Sequence, residues 1–443
     1  GSKAETIQLE LLDASGKQLV INHGLDSGSD PLIAFLPKQD GEFIARVSET
    51  TLEGSADHAY RLTITTQAYI TGWWPLSVPV NKDTMVELVG HELHGAKVKV
   101  HPTKAGKLTL PEIAAATRFR EVPAVLATEM NEQLEHEPND EPAQAQPITV
   151  PTSINGRLFV PGKAQASDSD VYAFDAKAGD EWMIETMAAQ SMAPTDTRLE
   201  VLNADGSPVE RLRVQAIRSS WNNFRSVDAD NQDIRLENYT ETGLNEFVYF
   251  NGDIMKTFRL PRGPDGGFFF YTSNGKRRAY FDTTATAHPL EEPCYVVEPL
   301  KAGEAPLPNG LPVISIPFAN DDDGLRKLGR DSRLHFTAPA SAKYLIRVTD
   351  SRGWSGERFA YRLVVRKPVP DFAVKLSGEN MSIGAGSAMG FSLRADRMDD
   401  FEEPITVTIE GLPQGWIASS PIVIERGHTL ASGSLYAEPN ATA

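Results

Sequence analysis

The sequence is poor in the groups on which many catalytic and nucleic-acid-binding proteins depend. Its 443 residues include one cysteine, Cys294, which excludes an intrachain disulfide and thiolate-ligated zinc or iron–sulfur sites. The 43 basic residues are outnumbered by 60 acidic ones, and a net charge of −17 argues against a phosphate backbone as partner. Apolar runs stay below the ~18 residues that a membrane-spanning helix needs. We therefore expect no nucleic-acid binding and no membrane span.

Motifs of known catalytic sites are also missing. The chain has no H-E-x-x-H, no G-x-S-x-G, no P-loop and no G-x-G-x-x-G. The nine histidines are scattered, and only His91 and His94 have a spacing suited to a metal, which would require a helix in a segment that predicts a strand end. Cys294 lies between apolar strand residues, where we expect a buried, unreactive thiol. Since no nucleophile or base stands out, we predict that the chain is not an enzyme.

Hydrophobic periodicity predicts an all-β fold. Segments such as KYLIRVTD, TMVELVG and PITVTIEG alternate with period two, between turn sequences such as DASG at 13–16 and NADG at 203–206. The Ala- and Glu-rich segment 110–135 is broken by Pro111 and Pro123, so only short helical turns are expected there. Short strands with frequent turns are typical of antiparallel sandwiches, and the length fits several domains. We predict a multidomain chain of antiparallel β-sandwiches.

The sequence contains an internal repeat. Residues 30–64 match residues 331–365 at a constant offset of 301, with identical pairs Asp30/Asp331, Phe35/Phe336, Arg46/Arg347, Val47/Val348, Tyr60/Tyr361, Arg61/Arg362 and Leu62/Leu363. LELLDASG at 9–16 likewise matches LEVLNADG at 199–206 at an offset of 190. Because the two matches lie much farther apart in the second copy, that copy carries an insertion of about 111 residues. The first copy has no counterpart of residues 135–198, so we expect only half a sandwich there.

Three motifs of the second copy point to a known family. They are EHEPNDEPAQAQPI at 135–148, SDSDVYAF at 167–174 and KYLIRVTD at 343–350. In this combination they resemble the bacterial pre-peptidase C-terminal (PPC) domain. The resemblance implies a non-catalytic, jelly-roll-like β-sandwich of an exported protein, with calcium bound in some members. The interrupted copy is similar to a form found in large planctomycete exported proteins, which implies a secreted, periplasmic or cell-surface location.

The repeat and the resemblance divide the chain into four modules. Residues 69–130 and 369–443 resemble immunoglobulin-like modules, the first of the IPT/TIG kind and the second expected to lack its last strand. Residues 3–68 are predicted to be the second half of a PPC-like sandwich. Residues 131–368 are predicted to be a PPC-like sandwich with an insertion at about 210–320.

Oxygen-bearing side chains crowd the start of the interrupted module. Such side chains are suitable ligands for Ca²⁺, which takes six to eight oxygens in flexible geometry. The resemblance implies one Ca²⁺ held by Glu135, Glu137, Asn139, Asp140 and Asp170, with Asp168 as an optional ligand. Ser167 departs from the family pattern, because calcium-binding members have an acidic residue there, and Asp168 is the expected substitute. A solvated acidic linker is the alternative hypothesis.

A second acidic run is a weaker candidate for a cation. It contains Asp228, Asp230, Asn231 and Asp233. The run lacks the Gly and the terminal Glu of an EF-hand loop.

The insertion is rich in aromatic residues. Eleven of the 43 residues from 239 to 281 are aromatic, against 8% for the whole chain, and six basic residues accompany them. Aromatic faces beside guanidinium groups suit sugar rings that carry carboxylates or sulfates. The candidate ligand-binding residues are Tyr249, Arg259, Arg262, Tyr271, Arg277 and Tyr280. The alternative hypothesis is that these aromatics form the core of the insertion.

The sequence therefore predicts a non-catalytic accessory region of an exported bacterial protein. Its expected partner is an acidic polysaccharide or another ligand of the extracellular matrix or cell surface. The rival hypothesis is a structural stalk that spaces a catalytic or anchoring domain.

Overall fold

Strands provide nearly all of the regular structure. The computed structural model describes residues 6–24, 30–110, 117–119, 122–160, 167–263, 265–301, 303–377 and 382–442. Within these ranges there are 35 strands, two short 3₁₀ turns at Pro142–Gln144 and Ala189–Ser191, and no α-helix. Most strand pairs are antiparallel. The all-β prediction is confirmed; part of the Ala- and Glu-rich segment, residues 111–116 and 120–121, lies outside the described residues.

The strands are numbered in chain order. They are β1 (Ile7–Asp13), β2 (Gln18–Asn22), β3 (Phe43–Glu49), β4 (Tyr69–Trp74), β5 (Ser77–Pro79), β6 (Thr84–His91), β7 (Lys97–Val100), β8 (Gly106–Thr109), β9 (Arg118–Phe119), β10 (Ala124–Thr128), β11 (Glu132–Leu134), β12 (Gln146–Pro147), β13 (Thr152–Arg157), β14 (Asp170–Ala176), β15 (Glu181–Met187), β16 (Thr197–Asn203), β17 (Glu210–Trp221), β18 (Asp233–Ile234), β19 (Phe247–Phe250), β20 (Asp253–Arg259), β21 (Phe268–Phe270), β22 (Thr272–Ser273), β23 (Lys276–Arg277), β24 (Pro293–Leu300), β25 (Val313–Pro317), β26 (Ala319–Asn320), β27 (Arg333–Thr337), β28 (Ala342–Asp350), β29 (Ala360–Arg366), β30 (Asp371–Ser377), β31 (Ala388–Met398), β32 (Ile405–Val407), β33 (Trp416–Ala418), β34 (Ile422–Ile424) and β35 (Leu430–Ala437).

The central sandwich consists of two five-stranded sheets. Their strand orders are β11-β13-β29-β15-β27 and β12-β14-β28-β16-β26. Alternating side chains of both sheets meet in one core that includes Tyr172, Phe174, Phe336, Tyr344 and Tyr361. The same core continues into the small sheets β7-β6-β4-β9 and β5-β10-β8 through residues such as Ile70, Val86 and Val125.

The insertion leaves and re-enters the sandwich at adjacent points. Val209 is the last sandwich residue before β17, and the Phe318 N–H donates to its carbonyl oxygen at 3.0 Å. Between these residues lies a seven-stranded sheet of order β18-β21-β20-β19-β24-β17-β25, with the hairpin β22-β23. Because the two ends of the insertion are adjacent, the inserted sheet does not interrupt the hydrogen bonding between the sandwich strands.

The remaining sheets lie at the two ends of the chain. The first has the order β2-β1-β3. The last module has a four-stranded sheet β30-β31-β35-β33 and a hairpin β32-β34, packed around Phe391, Leu393, Ile405 and Ile424.

The internal repeat is visible in strand register. Leu9 lies opposite Val47 in the β1–β3 pair, and Leu199 lies opposite Val348 in the β16–β28 pair, as offsets of 190 and 301 require. The next cross-strand pair is an ion pair in both copies, Glu10 with Arg46 and Glu200 with Arg347. The same sequence pattern thus builds the same two-stranded unit twice.

Candidate metal centre

The segment from Glu135 to Asp140 is hydrogen-bonded to one strand of each sandwich sheet. The Glu135 N–H donates to the carbonyl of Asn155 in β13 at 3.1 Å. The Asn139 carbonyl accepts the Val171 N–H of β14 at 2.9 Å. These two backbone contacts hold the oxygen-rich segment across the end of the sandwich, where β14 begins with Asp170.

The predicted carboxylates converge at this place. They form two groups that share Glu137, namely Glu135, Glu137 and Asp170, and Glu137, Asp140 and Asp168. In each group one oxygen from every residue lies within 4.8 Å of the others. Since Ca²⁺–oxygen distances are about 2.3–2.6 Å, opposite ligands of one ion are about 5 Å apart. The spacing of each group therefore matches the coordination sphere of one such cation.

Asn139 completes the cluster. Its side chain is fully buried, and its amide oxygen lies 3.2 Å from Glu137 Oε2 and 3.3 Å from Asp170 Oδ1. Three acceptor oxygens facing one another repel unless a cation lies among them. Turned by 180°, the amide would instead donate hydrogen bonds to both carboxylates. Either orientation shows that all six residues predicted from the sequence meet here.

The electrostatics of the cluster are those of crowded, poorly solvated carboxylates. Burial, reinforced by the charges of Glu137 and Asp168, raises the pKa of Glu135 to about 8. Burial likewise raises the pKa of Asp168 to about 7 and that of Asp170 well above its ordinary value. In such a place either protons or a cation must offset the negative charge.

Two carboxylate oxygens of the cluster lack a hydrogen-bond partner among the described residues. They are Asp140 Oδ1 and Asp168 Oδ2, and both are buried. A cleft of about 350 Å³ lies beside them, lined by residues that include Asp140, Ser167 and Ser169. Buried acceptors without donors are costly unless a cation binds them, and the cleft provides a path from solvent.

Two tyrosines support the cluster from the core. The Tyr361 hydroxyl donates to Asp170 Oδ2 at 2.5 Å, and the Tyr172 hydroxyl lies 2.5 Å from that of Tyr361. Burial raises the pKa of both tyrosines well above its ordinary value, so both stay neutral donors. A Cβ at Gly156 would lie 2.2 Å from the Tyr361 ring and 2.6 Å from Glu135 Oε2. Only glycine fits at this position.

Sequence reasoning missed these supporting residues. Tyr361 was matched to Tyr60 in the repeat, but its role depends on contact with Asp170, 191 residues away. Tyr172 follows Asp170 by two positions on β14, and this spacing was the sequence feature that could have placed both side chains on the same face of the strand.

The carboxylates of the second acidic run do not converge on a common point. Asp230 pairs with Lys276 at 3.0 Å and Arg326 at 2.6 Å, and Asp233 pairs with Arg225 at 3.2 Å. Asp228 accepts the N–H groups of residues 230 and 231. Each carboxylate of this run thus has a basic or backbone partner, although Asp233 Oδ1 has none, and within the described ranges the metal-capable groups are the two that share Glu137.

Arg277 requires a correction, because it is not available to a ligand. Its side chain is completely buried and pairs with Asp253 at 2.7 Å. Further hydrogen bonds go to the carbonyl oxygens of Asp228, Asn231 and Thr286. We therefore remove Arg277 from the candidate ligand-binding residues and assign it to the interior of the insertion.

The other aromatic candidates are divided between core and surface. Tyr249 and Tyr280 pack against the core residues Val214, Ile254, Val297 and Ile316. Tyr271 is half-buried, donates to Asn245 Oδ1 at 2.9 Å, and contacts the Phe258 ring at 5.2 Å. Since Phe250, Phe268 and Phe270 are also buried, much of the aromatic enrichment forms the core of the insertion.

Several basic side chains lie near the surface of the insertion, and three of them bear on ligand binding. The Arg259 guanidinium lies 3.7 Å from the centre of the Phe269 ring, and Arg262 is exposed. Lys256, which the sequence reasoning did not single out, lies 5.4–5.9 Å from the rings of Phe247, Tyr271 and Tyr280. The alternating pattern of β20 does not indicate that three aromatic rings from other segments would surround Lys256.

Comparison with protein-family models, with curated proteins and with solved structures found no match to this chain. In the described part of the chain, no helix has the length and apolar character needed to cross a membrane.

Proposed function

We propose that this chain is a non-catalytic accessory region of an exported bacterial protein, in which one Ca²⁺ stabilises the interrupted sandwich. The observation that carries the proposal is the convergence of six oxygen-bearing side chains from two separate segments. The donor set is all oxygen, with five carboxylates and one amide, which suits a hard cation. The number of protein oxygens gathered here favours Ca²⁺ over Mg²⁺, because Mg²⁺ keeps several waters and is bound by only one or two carboxylates.

The ion would act by joining segments that are distant in the chain. Residues 135–140 approach the sheets as a loop, while Asp168 and Asp170 lie at the start of β14. Only the folded chain brings both segments together, so calcium binding stabilises the folded state by mass action. The uncompensated charges of the buried carboxylates become favourable interactions once the ion binds.

Thermal unfolding with excess Ca²⁺ and with EGTA tests the proposal. We expect a higher melting temperature for the wild type in Ca²⁺, and loss of this difference in Asp170→Asn. Asp228→Asn, in the acidic run that does not converge, is the matched control and should keep the calcium effect. Equal melting temperatures of the wild type in Ca²⁺ and EGTA would refute the proposal.

We further propose that the insertion contributes ligand binding through its surface aromatic and basic side chains. Phe258 is exposed beside Tyr271, and Arg259 and Arg262 supply positive charge in an acidic protein. Stacking on aromatic faces together with guanidinium–anion pairing suits an acidic polysaccharide. The structural stalk is the rival function.

Retention on an immobilised acidic polysaccharide separates the two functions. The wild type should be retained, and Arg259→Ala combined with Arg262→Ala should abolish retention without changing the melting temperature. Lys375→Ala, which removes an exposed positive charge in the last module, is the control for a general charge effect. No retention of the wild type, or equal retention of the double variant, would support the stalk.

A further inference from the structure

A cleft of about 300 Å³ lies where the insertion, the β26–β27 connection and the last module meet. The insertion contributes the hairpin β22–β23 and the adjoining Arg278, and the last module contributes strands β30 and β31. The volume is within the range of small-molecule sites. In a chain with a net charge of −17, five basic residues line this cleft: Arg278, Lys327, Lys375, Arg394 and Arg397.

The three carboxylates of the cleft already have cationic partners. Asp396 pairs with Lys327 at 2.5 Å, and Glu402 pairs with Arg278 at 2.9 Å. Asp400 is bound by an arginine and a histidine of the neighbouring sandwich, neither of which lines the cleft. The acidic groups therefore do not neutralise the remaining basic side chains.

Lys375 and Arg394 are two basic side chains that lack a carboxylate partner. They lie directly opposite each other in the β30–β31 ladder, so both project from the same face of the sheet. Among the described residues, Lys375 has no ion-pair partner, and Arg394 donates to the neutral amide oxygen of Asn274 at 2.9 Å. Like charges in this arrangement destabilise a ladder. An anion bound beside both side chains would remove the repulsion.

Two further arginines add to the excess of positive charge. Arg397 donates to backbone carbonyl oxygens and has no carboxylate partner in the part of the chain that the structure describes. The Arg278 side chain is only 10% exposed, and its Nε has no hydrogen-bond partner among the described residues. A buried donor without an acceptor is costly, and an anion in the cleft offers the missing acceptor.

We propose that this cleft binds a sulfate or phosphate group, either as the free ion or as an ester. Lys375 and Arg394 supply the charge, and the guanidinium of Arg278 supplies a further donor. Charge-assisted hydrogen bonds from guanidinium and ammonium groups suit an oxyanion with two negative charges. Because the donors belong to the insertion and to the last module, the bound anion also strengthens the contact between them.

This site is separate from the functions proposed above. The six residues of the metal centre do not all line the cleft, and neither Arg259 nor Arg262 does. Lys375→Ala therefore distinguishes the two kinds of anion binding. It should weaken binding of the small oxyanion and leave retention on the acidic polysaccharide unchanged.

Calorimetric titration of the calcium-loaded chain, freed of excess Ca²⁺, with sodium sulfate and with sodium phosphate tests the inference. At low ionic strength we expect saturable 1:1 binding of both anions. Lys375→Ala combined with Arg394→Gln should weaken binding at least about tenfold, because two charge-assisted contacts are lost. Lys97→Ala combined with Lys99→Ala removes two exposed positive charges from β7 and is the matched control, which should bind like the wild type.

The melting temperature without sulfate or phosphate provides a second measurement. Lys375→Ala removes the like-charge pair, so this temperature should stay equal or rise while the affinity for sulfate falls. No saturable binding by the wild type, or equal binding by the Lys375→Ala, Arg394→Gln variant, would overturn the inference. Acetate binding as tightly as sulfate would overturn it as well, because a general attraction of anions would then replace a site for a doubly charged oxyanion.

Discussion

Tyr361 donates its hydroxyl hydrogen to Asp170 across the interior of the interrupted sandwich, at a distance of 2.5 Å. The two residues lie on β29 and β14, which belong to opposite sheets. This hydrogen bond connects the core of the sandwich to the cluster of carboxylates. It also fixes the orientation of a carboxylate that has no exposed surface.

Removing that hydroxyl should weaken both the site and the fold. We expect Tyr361→Phe to lower the free energy of unfolding by about 1–3 kcal/mol, because the buried Asp170 oxygen loses its donor. Calcium affinity should fall about tenfold, since hydrogen bonds to a ligand hold it in position. Denaturant titration and calorimetric Ca²⁺ titration measure the two effects. Tyr60→Phe, at the matching exposed position, should change neither; equal effects in both variants would contradict the assignment.

The calcium-free protein should lose stability as the pH rises. The pKa values of Glu135 and Asp168 are raised to about 8 and about 7, above the value of about 4 in an unfolded chain. The stability linked to these groups is therefore fully present below about pH 4 and is lost as the pH rises to about 8. In EGTA, the melting temperature should fall from pH 5 to pH 8, and Glu135→Gln should flatten this fall.

Calcium should reverse that dependence, because the ion requires ionised carboxylates. The increase in melting temperature caused by Ca²⁺ should be larger at pH 8 than at pH 6. A calcium effect that is independent of pH would show that the raised pKa values do not belong to the metal ligands.

Arg277 should be essential for folding of the insertion. Its buried guanidinium faces Asp253, which also lies 3.2 Å from His288 Nε2. Arg277→Ala leaves the Asp253 charge without its main partner, and we expect a loss of about 3–5 kcal/mol. Arg262→Ala, an exposed arginine of the same insertion, should change stability by less than about 0.5 kcal/mol. Chemical denaturation of both variants provides the comparison; similar losses would contradict the burial of Arg277.

A histidine at the boundary with the last module should add a second pH dependence. His335 Nδ1 lies 2.6 Å from Asp400 Oδ2, and this hydrogen bond raises the pKa of His335 although burial opposes it. The nearby charges of Asp282 and Glu181 act in the same direction as Asp400, while Arg333 also binds Asp400 at 3.1 Å.

In an unfolded chain the pKa of a histidine is about 6.5. The stabilising contribution of protonated His335 is fully present below that pH and is lost as the pH rises through the higher pKa of the folded state. Saturating Ca²⁺ removes the pH dependence of stability that Glu135 contributes. Under that condition the melting temperature should still fall above pH 6.5. His335→Gln should abolish this fall. A profile unchanged by His335→Gln would exclude the histidine as its origin.

Several features of this protein follow from its sequence because they depend on local pattern. Period-two alternation predicted the all-β class, since strand side chains point to opposite faces in turn. The repeat predicted that one module occurs twice, and in the structure the matched pairs Leu9/Val47 and Leu199/Val348 lie opposite each other in the two copies. The six oxygen-bearing residues were found because four of them are neighbours in the chain and two follow in the next motif.

Other features were decided only by the tertiary structure. Arg277 lies in NGKRRAY, a sequence typical of an exposed turn, yet it is buried because Asp253 and three carbonyl groups from distant segments surround it. Phe35 and Phe336 have the same sequence context, but only Phe336 is covered. A pattern specifies which face of a strand is apolar; whether that face is buried depends on which other segments are present to pack against it, and this information is not local to the strand.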